Sequence, residues 1–410
     1  MSIKSGPALL GIIGAGQLSQ MLWEAAQSLG VEARVYGLMS DSPAARVGAQ
    51  GVAGALDDLE GLSRFCRSVD RVVIESEFID AQILEALAQT DLASRWIPPL
   101  SALLLTQSKL EQKRLWQQFG LPSAEWREWS VPRNHASEAL VAALAGGDWV
   151  AKSAKNGYDG RGTLIGSVGL EQAQLFFRRH PESEVYLEKR VPYRRELAIV
   201  GCRDARGQIF AYPLVETRQY RGVCERVLSL DLQEQSSLQV QAERCLTRIL
   251  EALEWRGVLA VEFFETAEGE LLINEIAPRV HNSGHFTLAA AGQSQFHAQV
   301  CIALDRPLSA EDFRTSVSFG MVNLLGSEAA SGAVPMIEGL EREASVKFSA
   351  GFPQPPKDYG KRHSTPLRKL GHWNWVSPRG CSREEIEATL NEMSACWRAW
   401  CQRQNHSRKV

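Results

Sequence analysis

The chain has 410 residues, a length that favours two or three domains over a single core. Apolar residues make up 44% of it and charged residues 23%, which is typical of a soluble globular enzyme. The formal net charge of -3 and the lack of a polybasic block before the terminal RKV give no reason to expect nucleic acid as a partner. The expected partners are therefore small molecules.

The cysteines and the apolar runs bear on cellular location. The eight cysteines form no CxxC pair and are scattered along the chain, which favours reduced thiols over a disulfide framework or a zinc site. The run ALLGIIG after Lys4 is short and broken by glycine, so it predicts a buried first strand and not a signal peptide. Because the sequence lacks an apolar run of about 18 residues, we expect a cytoplasmic protein without a membrane span.

A strand–helix–strand unit is predicted at the amino terminus. Residues 8–13 and 31–36 read as strands, and Gly14-Ala15-Gly16 precedes a helical pattern. The pattern matches the dinucleotide fingerprint only in part, because Ser19 replaces the third glycine and no acidic residue ends the second strand. The start of the helix could still bind an anion through its free amides.

A third strand is predicted over residues 71–74 and is followed at once by Glu75 and Glu77. Ligands bind at the carboxyl ends of strands in α/β sheets, so these carboxylates are candidate ligand contacts. The alternative, a polar strand exit that caps the next helix, is equally compatible with the pattern. The first domain is expected to close between Pro99 and Pro122.

Two central segments are suited to a nucleotide. The loop SAKNGYDGRGT at 153–163 combines glycines with Lys155 and Arg161 directly after Lys152, and such a loop can close over phosphates. It lacks GxxxxGK[ST], so it is not a P-loop. The predicted strand at 185–191 carries charged residues that suit an adenine and a ribose, although a charged edge strand would look the same.

A β-hairpin is predicted where two apolar runs, 258–266 and 270–278, flank the turn signal Glu268-Gly269. With a two-residue loop, Glu262 lies directly opposite Glu275. Like charges repel across a ladder, so we expect a divalent cation between them, and magnesium suits few oxygen ligands plus phosphates. The alternative is an exposed hairpin with two solvated glutamates. Polar side chains suited to an anion follow the hairpin: Arg279, His281, Asn282, Ser283 and His285.

The remaining predicted elements contain fewer functional signals. A helix over 236–255 has the periodicity of core packing. A strand over 316–325 precedes a Gly- and Pro-rich run and a basic stretch, and a helix over 383–400 closes the chain.

Several segments carry a resemblance to a known family, and they occur in the family's order: GAGQL at 14–18, ESEF at 75–78, AKSAKNGYDGRGT at 151–163, RELAIV at 195–200, YPLVET at 212–217, NEIAPRVHNSGHFT at 274–287, SQF at 294–296 and MVNLLGS at 321–327. Through them the chain resembles the ATP-grasp superfamily and, within it, the 5-(carboxyamino)imidazole ribonucleotide synthases, the ATP-dependent carboxylases of purine synthesis. The motif NEIAPRVHNSGH is highly specific, and YDGRG strongly supports it.

The resemblance implies a mixed α/β and α+β chain with the ATP-grasp fold. Its parts would be a Rossmann-like domain over 1–107, a two-lobed ATP-grasp domain over 108–322 and a small β-rich domain over 323–410. The implied enzyme is an ADP-forming ligase that uses ATP, Mg2+ and bicarbonate to carboxylate aminoimidazole ribonucleotide through carboxyphosphate. The resemblance also implies a homodimer.

Roles for individual residues follow from the same resemblance. The implied ATP contacts are Lys113 and Lys152 at the phosphates, with Glu188, the backbone near Val191, Glu196 and Asn274. Glu262 and Glu275 are the implied magnesium ligands. The implied site for bicarbonate and carboxyphosphate consists of Arg279, His281 and Asn282, with His281 either managing protons in its ordinary titration range or serving a structural role. The implied contacts to the ribonucleotide are Gln17, Glu77, Tyr158, Asp159, Arg161, Lys361 and Arg368.

The basic stretch near the carboxyl end departs from the family pattern RPGRKMGH. Here it reads TPLRKLGH at 365–372, with Thr365 for the first arginine, Leu367 for the glycine, and a spacing back to Lys361 that is one residue longer. Because the resemblance implies that this region helps grip the nucleotide phosphate, a ligase with a different acceptor remains an alternative. A nucleotide-binding regulator without catalysis and a dinucleotide oxidoreductase are the others, and Ser19 weakens the last.

Overall fold

The computed structural model describes residues 8–130, 135–155, 162–181, 184–230, 232–327, 332–340 and 351–407. The predicted ribonucleotide contacts Tyr158, Asp159 and Arg161 lie outside the described residues. So does most of the predicted phosphate loop.

A five-stranded parallel sheet forms the amino-terminal part, in the strand order β3-β2-β1-β4-β5. Its elements are β1 Leu10–Ile13, α1 Gln17–Ser28, β2 Ala33–Tyr36, α2 Pro43–Arg46, β3 Gly51–Val52, α3 Leu59–Ser68, β4 Arg71–Ile74, α4 Ala81–Ala88, β5 Trp96–Ile97 and α5 Leu100–Thr106. The predicted strand–helix–strand unit is confirmed. Chain order reverses between β1 and β4, and ligands of open α/β sheets bind at the carboxyl ends of such strands.

A smaller, four-stranded antiparallel sheet follows, in the order β6-β9-β7-β8. Its elements are α6 Lys109–Gln118, β6 Trp126–Glu128, α7 Ala136–Leu144, β7 Trp149–Ser153, β8 Thr163–Ile165, α8 Leu170–Arg179 and β9 Val185–Lys189. Ala151 and Leu187 pack in the core with residues of α7 and α8. Neighbouring residues on a strand face opposite sides, so Lys152 and Glu188 point away from those helices.

The largest sheet has ten strands, with the main order β15-β14-β10-β12-β13-β16-β21-β18. Its first half and the following helices comprise β10 Arg195–Arg203, β11 Ile209–Ala211, β12 Val215–Tyr220, β13 Val223–Ser229, α9 Leu232–Ala252, β14 Gly257–Glu265, β15 Leu271–Ala277, α10 Thr287–Ala290 and α11 Gln295–Ala303. The helix predicted as core packing is α9, which buries Leu246, Ile249 and Leu250 against the sheet.

The carboxyl-terminal part extends the same sheet. It consists of β16 Ser318–Leu325, β17 Gly332–Ala333, β18 Phe352–Pro353, β19 Lys357–Asp358, β20 His363–Ser364, β21 Lys369–Ser377 and α12 Arg383–Ser407. The domain limit predicted between residues 322 and 323 falls inside β16, which pairs with both β13 and β21. The division into three domains stays a prediction.

In the described ranges, no helix combines the length and apolar character needed to cross a membrane. The eight cysteines are all free thiols.

Candidate active site

The hairpin of β14 and β15 places Glu262 directly opposite Glu275, as predicted. Its loop, however, is longer than the predicted two residues. Thr266 N donates to Glu270 O at 2.9 Å, so three residues form the loop. Gly269 ends that loop at a φ of 80°, the left-handed conformation that such three-residue loops require.

A β-bulge restores the predicted pairing. Near the loop the register is offset by one residue, with Phe263 opposite Ile273, and it shifts between Glu262 and Phe263. The extra residue on β15 is Asn274, and a bulge of this kind redirects a side chain. The amide oxygen of Asn274 accepts a hydrogen bond from Lys152 Nζ at 3.1 Å, which links the small sheet to the large one.

The two glutamates are held in an electrostatically strained arrangement. Burial, followed by the charges of Glu275 and Glu196, raises the pKa of Glu262 to about 8. Glu275 instead forms an ion pair with Lys109 Nζ. Burial alone would lower the pKa of Lys109, but the charge and hydrogen bond of Glu275 together with the charges of Glu262 and Glu188 outweigh it and raise the pKa.

Sequence reasoning missed Lys109. Ser108 Oγ accepts from Glu111 N and caps α6, so Lys109 lies in the first turn, four residues before Lys113. Residues at this spacing share one face of a helix, and the prediction of Lys113 at the phosphates could have been extended to Lys109 on that ground.

The donor set fits magnesium. Two opposed carboxylates, one of which favours its protonated form until a cation approaches, provide the oxygen ligands that this ion prefers. Within the described residues, no group of three or more His, Cys, Asp and Glu side chains could bind a metal ion by itself. An ion at Glu262 and Glu275 would therefore complete its coordination with phosphate oxygens and water.

Two lysines meet at one buried carboxylate above the hairpin. Glu188 contacts Lys113 Nζ at 2.5 Å and Lys152 Nζ at 2.7 Å, and the Lys113 side chain is only 1% exposed. Burial by itself raises the pKa of Glu188, but the two lysine charges outweigh it and lower the pKa. Burial lowers the pKa of Lys113.

The contact between Lys113 and Glu188 is an ion pair without hydrogen-bond geometry. Lys113 Nζ and Glu188 Oε2 are buried and make no aligned hydrogen bond to the described residues. Glu188 and Lys152 line the cleft, and the almost fully buried Lys113 acts on it through Glu188. The role of Glu188 as an adenine or ribose contact stays a prediction.

The other predicted nucleotide contacts line the same cleft, which has a volume of about 980 Å³. Glu196 accepts from Tyr193 Oη at 2.9 Å and from Gln219 Nε2 at 3.0 Å, and burial raises its pKa. The Tyr193 ring stacks on Phe264 with centroids 4.6 Å apart. Val191 also lines the cleft, and its role as an adenine contact stays a prediction.

Arg279 holds the carboxylate of Glu77 through two hydrogen bonds. The Arg279 Nε and Nη2 atoms donate to Glu77 Oε2 and Oε1 at 2.5 and 3.0 Å. Glu77, predicted as a ribonucleotide contact, therefore fixes the plane of the guanidinium group. Both residues line the cleft.

The surroundings of His281 disfavour its charged form, and its role, in proton management or in structure, stays a prediction. Burial and the nearby charge of Arg279 lower its pKa well below the usual value. Its Nδ1 bonds Ser283 Oγ at 2.9 Å, and its Nε2 lies 3.4 Å from Glu262 Oε1. The neighbouring Asn282 exchanges two hydrogen bonds with the amide of Asn323 on β16.

The start of α1 is occupied by a side chain of the protein itself. Glu75 Oε2 accepts from Gly16 N at 3.2 Å. A Cβ atom at Gly16 would fall 2.0 Å from Glu75 Oε1, so the glycine is required by the carboxylate. The Glu75 carboxyl group thus occupies the helix terminus that could have bound an anion, which argues against a dinucleotide pyrophosphate there.

The last predicted contacts lie at the far end of the cleft. Lys361 Nζ donates to Gln17 Oε1 at 2.7 Å, and Arg368 Nη1 donates to His363 O at 2.9 Å. Burial and the charge of Arg368 lower the pKa of Lys361. The two cations therefore face the same space, next to Gln17.

Comparisons with known proteins agree with this geometry. The family model of the ribonucleotide synthetase preATP-grasp domain matches residues 8–107, and that of the ATP-grasp domain matches residues 114–296. Two opposed glutamates facing buried lysines, on a small sheet and a large sheet that meet at a cleft, define an ATP-grasp ligase. The predicted fold class is confirmed.

Individual relatives identify a narrower family within the ATP-grasp ligases. N5-carboxyaminoimidazole ribonucleotide synthase of Synechocystis sp. is 36% identical over 399 residues, which is 95% of this chain and 97% of the relative. The Aspergillus clavatus carboxyaminoimidazole ribonucleotide synthase complexed with ATP superposes with a TM-score of 0.82 at 26% identity, over 96% of this chain and 99% of that one. The Aspergillus clavatus enzyme in complex with ADP and 5-aminoimidazole ribonucleotide gives 0.80 at 25%, over 95% and 99%. The chain belongs to the N5-carboxyaminoimidazole ribonucleotide synthase family.

Proposed function

We propose that the chain catalyses the ATP-dependent carboxylation of 5-aminoimidazole ribonucleotide with bicarbonate. The products are N5-carboxyaminoimidazole ribonucleotide, ADP and phosphate. One observation carries the proposal: a single cleft is lined by Lys152 and Glu188, by the opposed glutamates, and by the cations at its far end. Relatives of the same length bind ATP, ADP and the ribonucleotide, which supports it.

The first step is transfer of the γ-phosphoryl group. Bicarbonate is a poor electrophile, so its oxygen attacks the γ-phosphorus of ATP and forms carboxyphosphate while ADP leaves. Lys109, Lys113 and Lys152 stabilise the negative charge on the phosphate oxygens, in a partly buried site where such interactions are stronger than in water. Glu262 and Glu275 would hold magnesium, which neutralises phosphate charge when bound.

The second step transfers the carboxyl carbon. Carboxyphosphate is labile in water, and Arg279 is placed to hold its anionic group while Glu77 keeps the guanidinium group in one plane. The amine of the ribonucleotide attacks carbon dioxide released from carboxyphosphate, and loses a proton. Burial and the charge of Arg279 lower the pKa of His281, which favours the neutral ring, so its nitrogen that faces Glu262 can accept a hydrogen bond but is a weak base.

The acceptor is held at the far end. Lys361 and Arg368 bring two positive charges together, and a phosphate monoester is a ligand that relieves their repulsion. Gln17 orients Lys361 through its side-chain oxygen.

Release of ADP by the purified protein tests the proposal when bicarbonate and the ribonucleotide are added singly and together. Turnover should require the ribonucleotide. Glu262→Gln should abolish it without loss of folding, whereas Glu268→Gln, on the exposed hairpin loop, should leave it unchanged. If ATP is cleaved at the same rate with and without the ribonucleotide, this acceptor is rejected, while the assignment as a ligase still stands.

A ligase with a different acceptor is the second candidate, and one observation favours it. Leu367, where the family has glycine, lines the acceptor end of the cleft. The same assay with the ribonucleotide replaced by other phosphorylated amines distinguishes the two candidates.

Two coarser features complete the proposal. The eight free thiols support a cytoplasmic location. The family resemblance supports a homodimer, which light scattering of the purified protein would test.

A further inference from the structure

One face of α1 lies along a short segment of the carboxyl-terminal part. Gln17, Gln20 and Glu24 follow each other at spacings of three and four residues, which places them on one side of the helix. All three contact residues 357–361, which we call the strap. The strap ends in Lys361, a proposed contact to the acceptor phosphate.

The two ends of the strap are held by polar contacts. At one end, Lys357 Nζ contacts both carboxylate oxygens of Glu24, with 2.6 Å to Oε2. At the other end, Lys361 Nζ donates to Gln17 Oε1 at 2.7 Å. The side chains of Glu24 and Lys357 are 36% and 25% exposed, so the ion pair is partly shielded from water.

The middle of the strap is fixed on both sides. Gln20 Nε2 donates to the carbonyl oxygen of Asp358 at 3.3 Å. On the opposite side, Tyr359 is fully buried, and its hydroxyl group bonds His372 Nδ1 on β21 at 2.9 Å. The strap is thus clamped between the amino-terminal helix and the carboxyl-terminal strand.

The strap runs antiparallel to α1, because its contacts pass from Glu24 back to Gln17 as the strap goes from Lys357 to Lys361. The backbone is a strand at Lys357–Asp358 and turns at Gly360, whose φ is 64°. Contacts at both ends and in the middle fix this bent segment, so we expect a shift at Lys357 to reach Lys361. A restraint is needed there, because the charges of Lys361 and Arg368 repel each other across the cleft.

We propose that Glu24 and Lys357 form a positioning pair that sets the place of Lys361 and thereby the affinity of the enzyme for the phosphate of its ribonucleotide acceptor. The inference rests on the proposed function, since it takes Lys361 as an acceptor contact. Neither residue of the pair lines the cleft, so both act through the strap.

Steady-state kinetics of the full chain test the pair. We expect Glu24→Gln and Lys357→Met each to raise KM for the ribonucleotide about three- to fivefold, the upper scale of a partly exposed ion pair. The kcat and the KM for ATP should stay within about twofold of the wild-type values, because the lysines around Glu188 are untouched. The charge-swapped double variant Glu24→Lys/Lys357→Glu should restore most of the lost affinity.

The control is Glu60→Gln, which breaks the exposed pair of Glu60 with Arg64 on α3 of the same sheet domain and should change none of these constants. Unchanged KM for the ribonucleotide in both single variants would overturn the inference, as would equal changes in KM for ATP. Lys361→Ala distinguishes a failure of the proposed function from a failure of the positioning pair. If this variant leaves KM for the ribonucleotide unchanged, the acceptor site of the proposed function is wrong. If it raises KM while Glu24→Gln does not, the positioning pair alone fails.

Discussion

Leu367 adopts a backbone conformation that suits glycine better. Its φ is 64°, in the left-handed region. Arg368 N donates to Thr365 O at 3.1 Å, which closes a turn with Pro366 at the second position and Leu367 at the third. Such a type II turn favours glycine at the third position, because a side chain there crowds the backbone. The departure noticed in the sequence is thus a local backbone strain at the acceptor end.

Leu367→Gly should therefore stabilise the chain. We expect the free energy of unfolding to rise by roughly 0.5–1 kcal/mol, since relief of the strain exceeds the added freedom of the unfolded chain. Urea denaturation measures it. Gly269→Ala is the matched control. The φ of Gly269 is 80° and the added Cβ meets no atom within 4 Å, so the substitution introduces backbone strain without a steric clash, and the free energy of unfolding should fall. A less stable Leu367→Gly variant would contradict the argument.

Lys109 is the residue whose removal tests the charge arrangement at the hairpin. Lys109→Met leaves Glu275 facing Glu262 without its cation, and removes a charge from the phosphate side. We expect the rate of ADP formation to fall at least about tenfold, and Lys109→Arg to retain more activity. Arg114→Met, on the same helix but paired with Glu128 at the surface, should have little effect. Wild-type turnover of Lys109→Met would refute the assignment.

At the scale of elements, the hairpin shows what a sequence can and cannot specify. Apolar runs and a glycine turn predicted β14 and β15, and the opposition of Glu262 and Glu275 was correct. The predicted loop length was wrong, because a turn that ends in Gly269 has the same sequence signal whether its loop has two or three residues. The bulge at Asn274 cancelled that error, and no local signal marks a bulge whose purpose is a contact with Lys152.

Buried histidines connect the segment after the hairpin to β21. The rings of His285 and His372 lie 4.8 Å apart, and burial lowers the pKa of His281, His285 and His372, the last to about 3. A lowered folded pKa contributes stability that is present above the unfolded pKa of about 6.5. This stability is lost as the pH falls toward the folded pKa.

The free energy of unfolding, measured by urea denaturation, should therefore decrease as the pH is lowered from 7 to 5. His372→Gln should flatten the slope by up to about 1.4 kcal/mol per pH unit, the value for one proton. His363→Gln, at an exposed position on β20, should leave the slope unchanged. A wild-type free energy that does not change over this range would contradict the burial of neutral histidines.

At the scale of the whole molecule, the cleft is built from residues far apart in the chain. Gln17 meets Lys361 across 344 positions, and Lys152 meets Asn274 across 122. Sequence motifs predicted which residues are functional, and the family resemblance predicted that they belong to one site for ATP and the acceptor. The contacts of α1 with the strap follow from tertiary packing, so the sequence did not predict them.

Nucleotide binding should stabilise the molecule through both sheets at once. A non-hydrolysable ATP analogue with magnesium, at about 100 times its Kd, should add about 2.7 kcal/mol. The midpoint of thermal unfolding should rise by several degrees. Lys152→Met, which loses both the Glu188 and the Asn274 contacts, should show a smaller rise at the same ligand concentrations. An equal rise in this variant would show that Lys152 does not contact the nucleotide.

The pairing of Glu188 with Lys113 and Lys152 has a consequence for the ionic strength at which the enzyme works. Glu188 offsets one of the two lysine charges and Glu275 offsets that of Lys109, so without nucleotide the site has little local net positive charge to attract ions from bulk solvent. A nucleotide that enters exchanges partners with Glu188 and displaces few mobile anions. Capture of ATP then depends on close contacts more than on long-range attraction, so dissolved salt, which mainly screens distant charges, has little influence on it.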